Sequence, residues 1–270
     1  MICRGRTFDH MVVSINGKIV DGKKAGIPVT SEAFLFGYAV FETIRTYNKK
    51  VFRLDDHLGR LYVSADVIGL KPKWSFKQTY KAVADILGKS KNKEEKIRVI
   101  LTKTDLIIMM EKLQEKPAAF YDKGVKLVSY LGKRNIPRAK VLADCFLYLA
   151  RQYALSCGAY DAILVDPKKY YVRECSYANI FWVDGGELYT TNKDILFGIT
   201  RDTIAEFTGC NFKGIKLKSL INADEVFITQ TTSGILPVVE IDGHKIGAGK
   251  PGSVTKKLMK EFDKLVWSKK

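Results

Sequence analysis

A lysine, a glutamate and two turn-like stretches are the parts of this chain whose residue types and spacing could do chemistry. Glu174 lies inside "YYVRECSYANIFWV" (residues 170–183), a run of apolar and aromatic residues that reads as buried β-structure. A buried carboxylate is costly unless it is paired or protonated. Arg173, next to it, would point to the opposite face of a strand, so the partner must come from elsewhere in the fold or from something bound. Lys140 stands at the mouth of an amphipathic helix, a place where lysines are ordinarily just solvated. In "LFGITRDTIAEF" (196–207), Gly198 permits a sharp turn. Ile199 and Thr200 then fall at a helix start, whose N–H groups can hold a phosphate. "FITQTTSGILPV" (227–238) runs a strand into hydroxyls and a glycine, which is either a second anion-binding turn or a polar loop. Each feature has an ordinary explanation by itself, yet they converge.

The elements that must position these residues follow from periodicity. Residues 11–20 read as two short strands around an Asn-Gly hairpin, and "AVFETIRTYNKKVFRL" as a second hairpin turning at Asn48-Lys49. "DDHLGRLYVSADVIGL" has Leu58, Leu61, Tyr62 and Ala65 at helical spacing, with Asp55 or Asp56 near its cap. A helix over 76–88 and the strand "KIRVILT" complete an N-terminal half of α+β character. Residues 111–124 show little periodicity and read as a connector. Beyond it come the strand "GVKLVSYL" and a helix whose apolar stripe is Leu142, Cys145, Phe146, Leu149, Ala150 and Tyr153, stopped by Gly158. Strands follow at 161–165, 170–182 and 187–191, then a helix from 198, strands at 225–230 and 237–241, and a last helix over 253–266.

The 270 residues suffice for one large domain or two modest ones. No apolar run approaches the roughly 18–20 residues a membrane span needs, and the N-terminus lacks the apolar core of a signal peptide. Five scattered cysteines, Cys3, Cys145, Cys157, Cys175 and Cys210, form no C-x-x-C and fit a reducing cytoplasm. His10, His57 and His244 are far apart, so no metal site is expected. The net charge of +16 comes from lysines spread along the chain, densest at 88–98, and no nucleic-acid-binding signature accompanies them. A lysine-rich solvated surface is the expected meaning.

The stretches "FGYAVFETIRTY", "HLGRLYVSA", "AK" before a helix ending in "GAYDAILVD", "ECSYANIFWV", "LYTTNKDILFGITRD" and "TTSGILPVVEIDG" occur in one order. In that order they resemble the fold-type IV pyridoxal-phosphate enzymes, the class IV aminotransferases. That family includes branched-chain aminotransferases, D-amino acid aminotransferases and aminodeoxychorismate lyases. The resemblance spans about Gly37 to Lys257. It implies a two-domain α+β / α/β fold: a smaller N-terminal α/β domain (1–115), a linker (116–123), and a larger C-terminal domain (124–270) with a β-barrel-like sheet that binds pyridoxal 5'-phosphate. It implies a homodimer, with the site built between the two domains. By the same resemblance Lys140 is the Schiff-base lysine and Glu174 the carboxylate facing the pyridine nitrogen. Arg60 clamps the phosphate, with Ile199, Thr200 and Thr231 completing its cup. Leu196 packs on the ring face and Asn179 supports the group. A carboxylate beside the nitrogen favours its protonated form, which withdraws electrons from the reacting centre.

For the substrate, the resemblance places Phe41 and Glu42 on the substrate side and gives the backbone N–H groups of Thr232 and Ser233 a carboxylate to receive. Arg98 reaches inward if the strand's alternation allows. Branched-chain enzymes usually have a tyrosine where this chain has Cys145, and the arginine and histidine that D-amino acid enzymes use after the "RVILT"-type strand are replaced by "KTDLIIMMEK". The reading is an aminotransferase moving an amino group from an amino acid to a 2-oxo acid. A branched-chain or other apolar L-amino acid comes first as donor and a D-amino acid second. A lyase releasing pyruvate and p-aminobenzoate from aminodeoxychorismate is the alternative. A basic binding protein that kept the fold without the chemistry is disfavoured, because Lys140, Glu174 and Arg60 are all present. Neither nucleic acid nor membrane is expected as a partner.

Overall fold

The structure is a computed structural model and describes residues 11–268. Cys3, His10 and the N-terminal stretch considered above lie outside the described residues. The described chain falls into two compact units. One comprises the residues up to Gln114 together with Ala139–Ala143, and the other Glu115–Arg138 with Asp144 onward.

The first unit contains β1 (Val12–Ile15), β2 (Lys18–Asp21), α1 (Glu32–Leu35), β3 (Val40–Tyr47), β4 (Lys50–Val51), α2 (Leu54–Val67), α3 (Phe76–Leu87), β5 (Glu95–Leu101) and β6 (Leu106–Lys112). Its antiparallel sheet has the order β2-β1-β6-β5-β3-β4. Alternation explains its two faces. Ile97, Val99 and Leu101 of β5 point one way with Ile108 and Met110 of β6, and α2 and α3 cover them through Leu58, Leu61, Val83 and Ile86. Both expected hairpins form. Ser75 caps α3 in a reciprocal capping box with Gln78. At the start of α2, however, the residue before the helix is Arg53 in a left-handed conformation, and Asp55 and Asp56 sit in the first turn. They face the positive end of the helix dipole without capping it.

The second unit contains α4 (Ala118–Asp122), β7 (Val125–Leu131), α5 (Cys145–Ser156), β8 (Asp161–Val165), β9 (Val172–Cys175), β10 (Asn179–Asp184), β11 (Glu187–Thr190), α6 (Ile199–Thr208), β12 (Asn211–Phe212), α7 (Leu217–Leu220), β13 (Glu225–Gln230), β14 (Gly234–Ile241), β15 (His244–Lys245) and α8 (Ser253–Trp267). The sheet order is β12-β11-β10-β13-β14-β7-β8-β9, with β15 beside β14. Four strands separate β9 from β10 in this order, which in a flat sheet would put them about 24 Å apart. The turn Ser176–Ala178 that joins them can span only about 14 Å. The sheet therefore curls, and Val125, Ile163, Ile180, Trp182, Ile228 and Leu236 fill its hollow.

Several expectations change here. The stretch 170–182 is two strands, because Ser176, Tyr177 and Ala178 turn between β9 and β10. The expected linker 116–123 contains α4, whose Phe120 and Tyr121 pack on the second core. Residues 139–143 group with the first unit although the sequence around them belongs to the second. Helix α5 buries Leu147, Ala150 and Ala154, while Leu149 and Tyr153 are exposed and Leu142 lies outside the helix. Apolar residues line two stripes of α5, and the one with small alanines fits closest to β8.

Candidate active site

In the first unit the segment carrying Lys140 is held by its own main chain. The Lys140 N–H donates to Ser64 Oγ (3.0 Å), and its carbonyl accepts from the Phe41 N–H (2.9 Å). Val141 bridges to Val40 and the Leu142 N–H donates to the Ala39 carbonyl (2.9 Å). Lys140 is thus part of an extended strip laid along the start of β3, five residues ahead of α5 and not at its mouth. Gly37 makes the approach possible: its φ is +63°, and a Cβ there would come within 1.9 Å of the Ala143 Cβ. Lys140 Nζ lies 4.8 Å from the centre of the Phe41 ring, and Arg98 Cζ lies 4.2 Å from the same ring. Arg98 is paired with Thr43 across the sheet and so shares the face that carries Phe41.

Glu42 necessarily faces the other way. Its side chain is fully buried on the helix-covered side, which removes it from the substrate-side position expected beside Phe41. There it accepts Arg60 Nε on Oε1 (2.6 Å) and Arg60 Nη2 on Oε2 (2.8 Å), and His57 Nδ1 lies 2.9 Å from Oε2. Burial by itself would raise the Glu42 carboxyl, but the charge of Arg60 and the hydrogen bonds from His57 and Arg60 outweigh it and hold it well below the usual range. Burial lowers His57 in turn, against the upward pull of Glu42, with Arg60 and Lys140 adding to the lowering. Since an ionised carboxylate only accepts, His57 must carry its proton on Nδ1. Ser64 closes the group, donating its hydroxyl to the Arg60 carbonyl (2.7 Å) while receiving the Lys140 N–H.

In the second unit Glu174 is buried on β9, and it finds partners within the fold. Arg134 Nε (3.1 Å) and the Leu196 N–H (3.1 Å) donate to Oε1, and Asn179 Nδ2 (3.3 Å) to Oε2. Asn179 also donates to the Leu196 carbonyl (2.8 Å), so Glu174, Asn179 and Leu196 form one knot. Arg134 continues to Asp144 Oδ2 (3.4 Å), and Asp144 caps α5 by accepting the Leu147 N–H (3.3 Å). Arg173 points away, toward Asp166 and Asp194, as alternation requires.

Helix α6 opens with Ile199 and Thr200, both buried, after Gly198. The glycine has an ordinary extended φ of −79° and makes no special turn. It is needed because a Cβ there would sit 2.0 Å from Asn179 Oδ1. Thr231 and Thr232 are half-buried in the turn from β13 to β14. The Ser233 N–H is donated to the Gln230 carbonyl (3.2 Å) and its hydroxyl to Gln230 Oε1 (3.1 Å), so a ligand using that N–H would share it. Thr229, directly opposite Asn179 in the sheet, is buried, and its Oγ1 has no hydrogen-bond partner among the described residues.

Sequence reasoning did not single out Arg134, Ser64 or the inward turn of Glu42. Arg134 is forty positions from its carboxylate, with nothing local to mark it. Ser64 is a buried serine inside a helix, a weak signal that it bonds backbone nearby.

The comparisons with known proteins agree on the family and differ in the substrates their names give. Residues 39–241 match the family model described as amino-transferase class IV. A D-alanine aminotransferase of Bacillus licheniformis is 29% identical over 91% of this chain and 94% of its own length. A Methanocaldococcus jannaschii protein named for branched-chain-amino-acid aminotransferase is 33% identical over 93% of this chain and 95% of its own. Among solved structures, the Escherichia coli branched-chain amino acid aminotransferase superposes with a TM-score of 0.87 at 28% identity, covering 94% of both chains. The T.th. branched-chain amino acid aminotransferase with pyridoxamine 5'-phosphate gives 0.86 at 27% identity, over 94% of this chain and 93% of that one.

Proposed function

The chain belongs to the class IV aminotransferases, and from that premise we propose that it transfers an amino group from an apolar L-amino acid to a 2-oxo acid on pyridoxal 5'-phosphate, with Lys140 as the catalytic residue. The fold is that of the fold-type IV enzymes, and enzymes of this class depend on that cofactor. The observation that carries the reading is the anchoring of Lys140. Its backbone N–H and carbonyl are both fixed by motif residues, Ser64 and Phe41, so its amino group departs from a rigid point.

The side chains present suit the cofactor. Glu174 accepts from the cation Arg134 and from two further donors, a setting that suits a carboxylate facing a protonated ring nitrogen. The buried start of α6, with Ile199 and Thr200, is a place for a phosphate, as is the cation of Arg60. The orphaned Thr229 hydroxyl, beside Asn179, suits a polar ligand atom. When bound, the cofactor supplies an electron-withdrawing ring that accepts the electron pair left when a substrate loses its α-proton. The protein does the rest. With the cofactor bound, Lys140 Nζ would hold it at rest and, once freed by substrate, would take the α-proton and deliver it to the carbon two atoms along, across the nitrogen. Asn179 and Leu196 fix Glu174 so that it meets the ring nitrogen in one orientation. Phe41 and Arg98 line the face on which Lys140 lies, the arginine supplying a cation for a substrate carboxylate.

The choice of an apolar L-donor is supported by the relatives and structures named for branched-chain substrates. The Bacillus licheniformis relative is the reason to test D-alanine alongside. A homodimer in the cytoplasm belongs to the same reading. Among the described residues no helix is long and apolar enough to cross a membrane.

The test is the visible spectrum of the protein loaded with pyridoxal phosphate. Bleaching by L-leucine, restored by a 2-oxo acid, is the expected result. Bleaching by D-alanine alone would reverse the stereochemistry. Pyruvate released from aminodeoxychorismate without any keto acid would identify a lyase. No colour, or a borohydride-reducible link to the cofactor that survives Lys140→Ala, would overturn the reading.

A further inference from the structure

Arg60 is treated above as a phosphate ligand, but a lone arginine on a helix swings through many rotamers. This one is gripped. Glu42 takes its Nε and Nη2 together, in the side-on bidentate arrangement that fixes the plane of a guanidinium as well as its position. Behind the carboxylate, His57 Nδ1 engages the same Oε2 that receives Nη2. The three residues come from adjoining elements, Glu42 from β3 and the other two one helical turn apart on α2, so the grip is built into the packing of helix on sheet. Glu42 thus takes the edge of the guanidinium formed by Nε and Nη2. The main chain of Arg60 is fixed as well, through Ser64, to the backbone of Lys140.

We propose that Glu42 is a positioning residue for the cofactor phosphate, fixing the plane and place of the Arg60 guanidinium, with His57 locking the carboxylate in place. The inference rests on the reading of Arg60 as a phosphate ligand. It assigns Glu42 no contact with substrate, in contrast to the neighbouring Phe41. Its energetic content is pre-organisation, since an arginine already ordered loses less freedom when an anion arrives.

The experiment compares two ligands on the protein freed of cofactor. Pyridoxal 5'-phosphate and phosphate-free pyridoxal are titrated into the wild type, Glu42→Gln, Glu42→Asp and Arg60→Lys, and absorbance gives each dissociation constant. Glu42→Gln is expected to weaken the phosphorylated ligand about tenfold or more and to leave pyridoxal within about twofold. Glu42→Asp keeps the charge but is too short to hold both nitrogens, and is expected to show the same selectivity. Combined with Arg60→Lys, Glu42→Gln should add little further loss, because both act through one group. Equal weakening of both ligands would mean that Glu42 only supports the fold, and unchanged affinity for the phosphorylated ligand would mean that Arg60 needs no guide. Either result overturns the proposal, and if Glu42→Gln does not fold, Glu42→Asp decides. A wild type that binds neither ligand would instead overturn the assignment of the cofactor itself.

Discussion

The two units bury an acid–base pair each, and they use it in opposite senses. In the first, the carboxylate of Glu42 is the support and the guanidinium of Arg60 is the proposed tool. In the second, the guanidinium of Arg134 is the support and the carboxylate of Glu174 is the proposed tool. Both pairs are nearly dry, so in each the supporting charge offsets a desolvation cost that the working charge could not bear alone. The supports differ in what else they do. Glu42 is closed off by His57 of the same helix that carries Arg60, whereas Arg134 reaches on to Asp144, the cap of α5. If the proposed roles hold, each unit offers a ligand a charge that the protein has already paired with an opposite one.

The largest effect expected from breaking this arrangement is chemical. Lys140→Ala should lower transamination on the order of a thousandfold or more, while the urea midpoint stays near that of the wild type. The main-chain bonds to Ser64 and Phe41 do not involve the lost side chain. A large fall in stability would show that the Lys140 side chain itself organises the strip, and that the first unit is less self-contained than Glu42 and Arg60 make it.

Next comes the removal of a support. Arg134→Met leaves Glu174 buried without its cation, and should destabilise the protein by about 3–5 kcal/mol in urea unfolding. Adding Glu174→Leu should return most of that loss, since an apolar pair replaces an ionic one. If the single variant costs nothing, Asn179 and the Leu196 N–H suffice, and the reciprocal use of charge in the two units fails. Gly198→Ala probes the same knot from behind. A methyl group 2.0 Å from Asn179 Oδ1 must displace the amide that binds Glu174, and a cost of about 1–3 kcal/mol is expected.

Acid acts with opposite sign on buried groups of the two units. Burial, with Arg60 and Lys140, holds His57 below its ordinary 6.5, so the unfolded chain takes up that proton more readily. Stability contributed at His57 is present above about pH 6.5 and is lost as the pH falls below it. Glu42, also lowered, acts in the same direction below 4.5. In the second unit burial raises Asp161 above 3.8, so it contributes a penalty at neutral pH that protonation relieves as the pH falls. Hydrogen exchange followed through this range should therefore show β3 amides opening more easily on mild acidification, with the change blunted in His57→Gln. Amides of β8, next to Asp161, should not follow them.

What the sequence could and could not convey follows the same lines. The roles proposed for Lys140, Glu174 and the start of α6 came from the resemblance of contiguous motifs, since each feature alone has an ordinary explanation. The hairpins at Asn16-Gly17 and Asn48-Lys49 were legible, because Asn16, Gly17 and Asn48 adopt the positive φ their types favour, with Lys49 following Asn48 into that region. Arg134 and Ser64 were not, since each acts on a residue forty or more positions away. Phe41 and Glu42 were placed together because they are adjacent in a motif, although adjacent residues of a strand face opposite ways. In α5 two apolar stripes compete, and only the sheet beneath decides between Ala150 with Ala154 and Leu149 with Tyr153. The place of residues 139–143 was hidden because the chain returns to the first unit for a few residues only, too few to carry a pattern.

The smallest effect concerns the one hydroxyl in the second unit's site that the described residues leave unanswered. Thr229 Oγ1 is buried beside Asn179 with no partner, and a buried hydroxyl left so costs stability. Thr229→Val keeps the shape and removes the orphan, so the protein without cofactor should gain about 1 kcal/mol in urea unfolding. With pyridoxal phosphate present that gain should shrink or reverse, because the wild-type hydroxyl then has a ligand atom to bond and the valine does not. The difference between the two conditions is the informative quantity. A gain of equal size with and without cofactor would show that Thr229 is only a packing defect, and that the second unit keeps no polar group in reserve beyond Glu174 and the opening of α6.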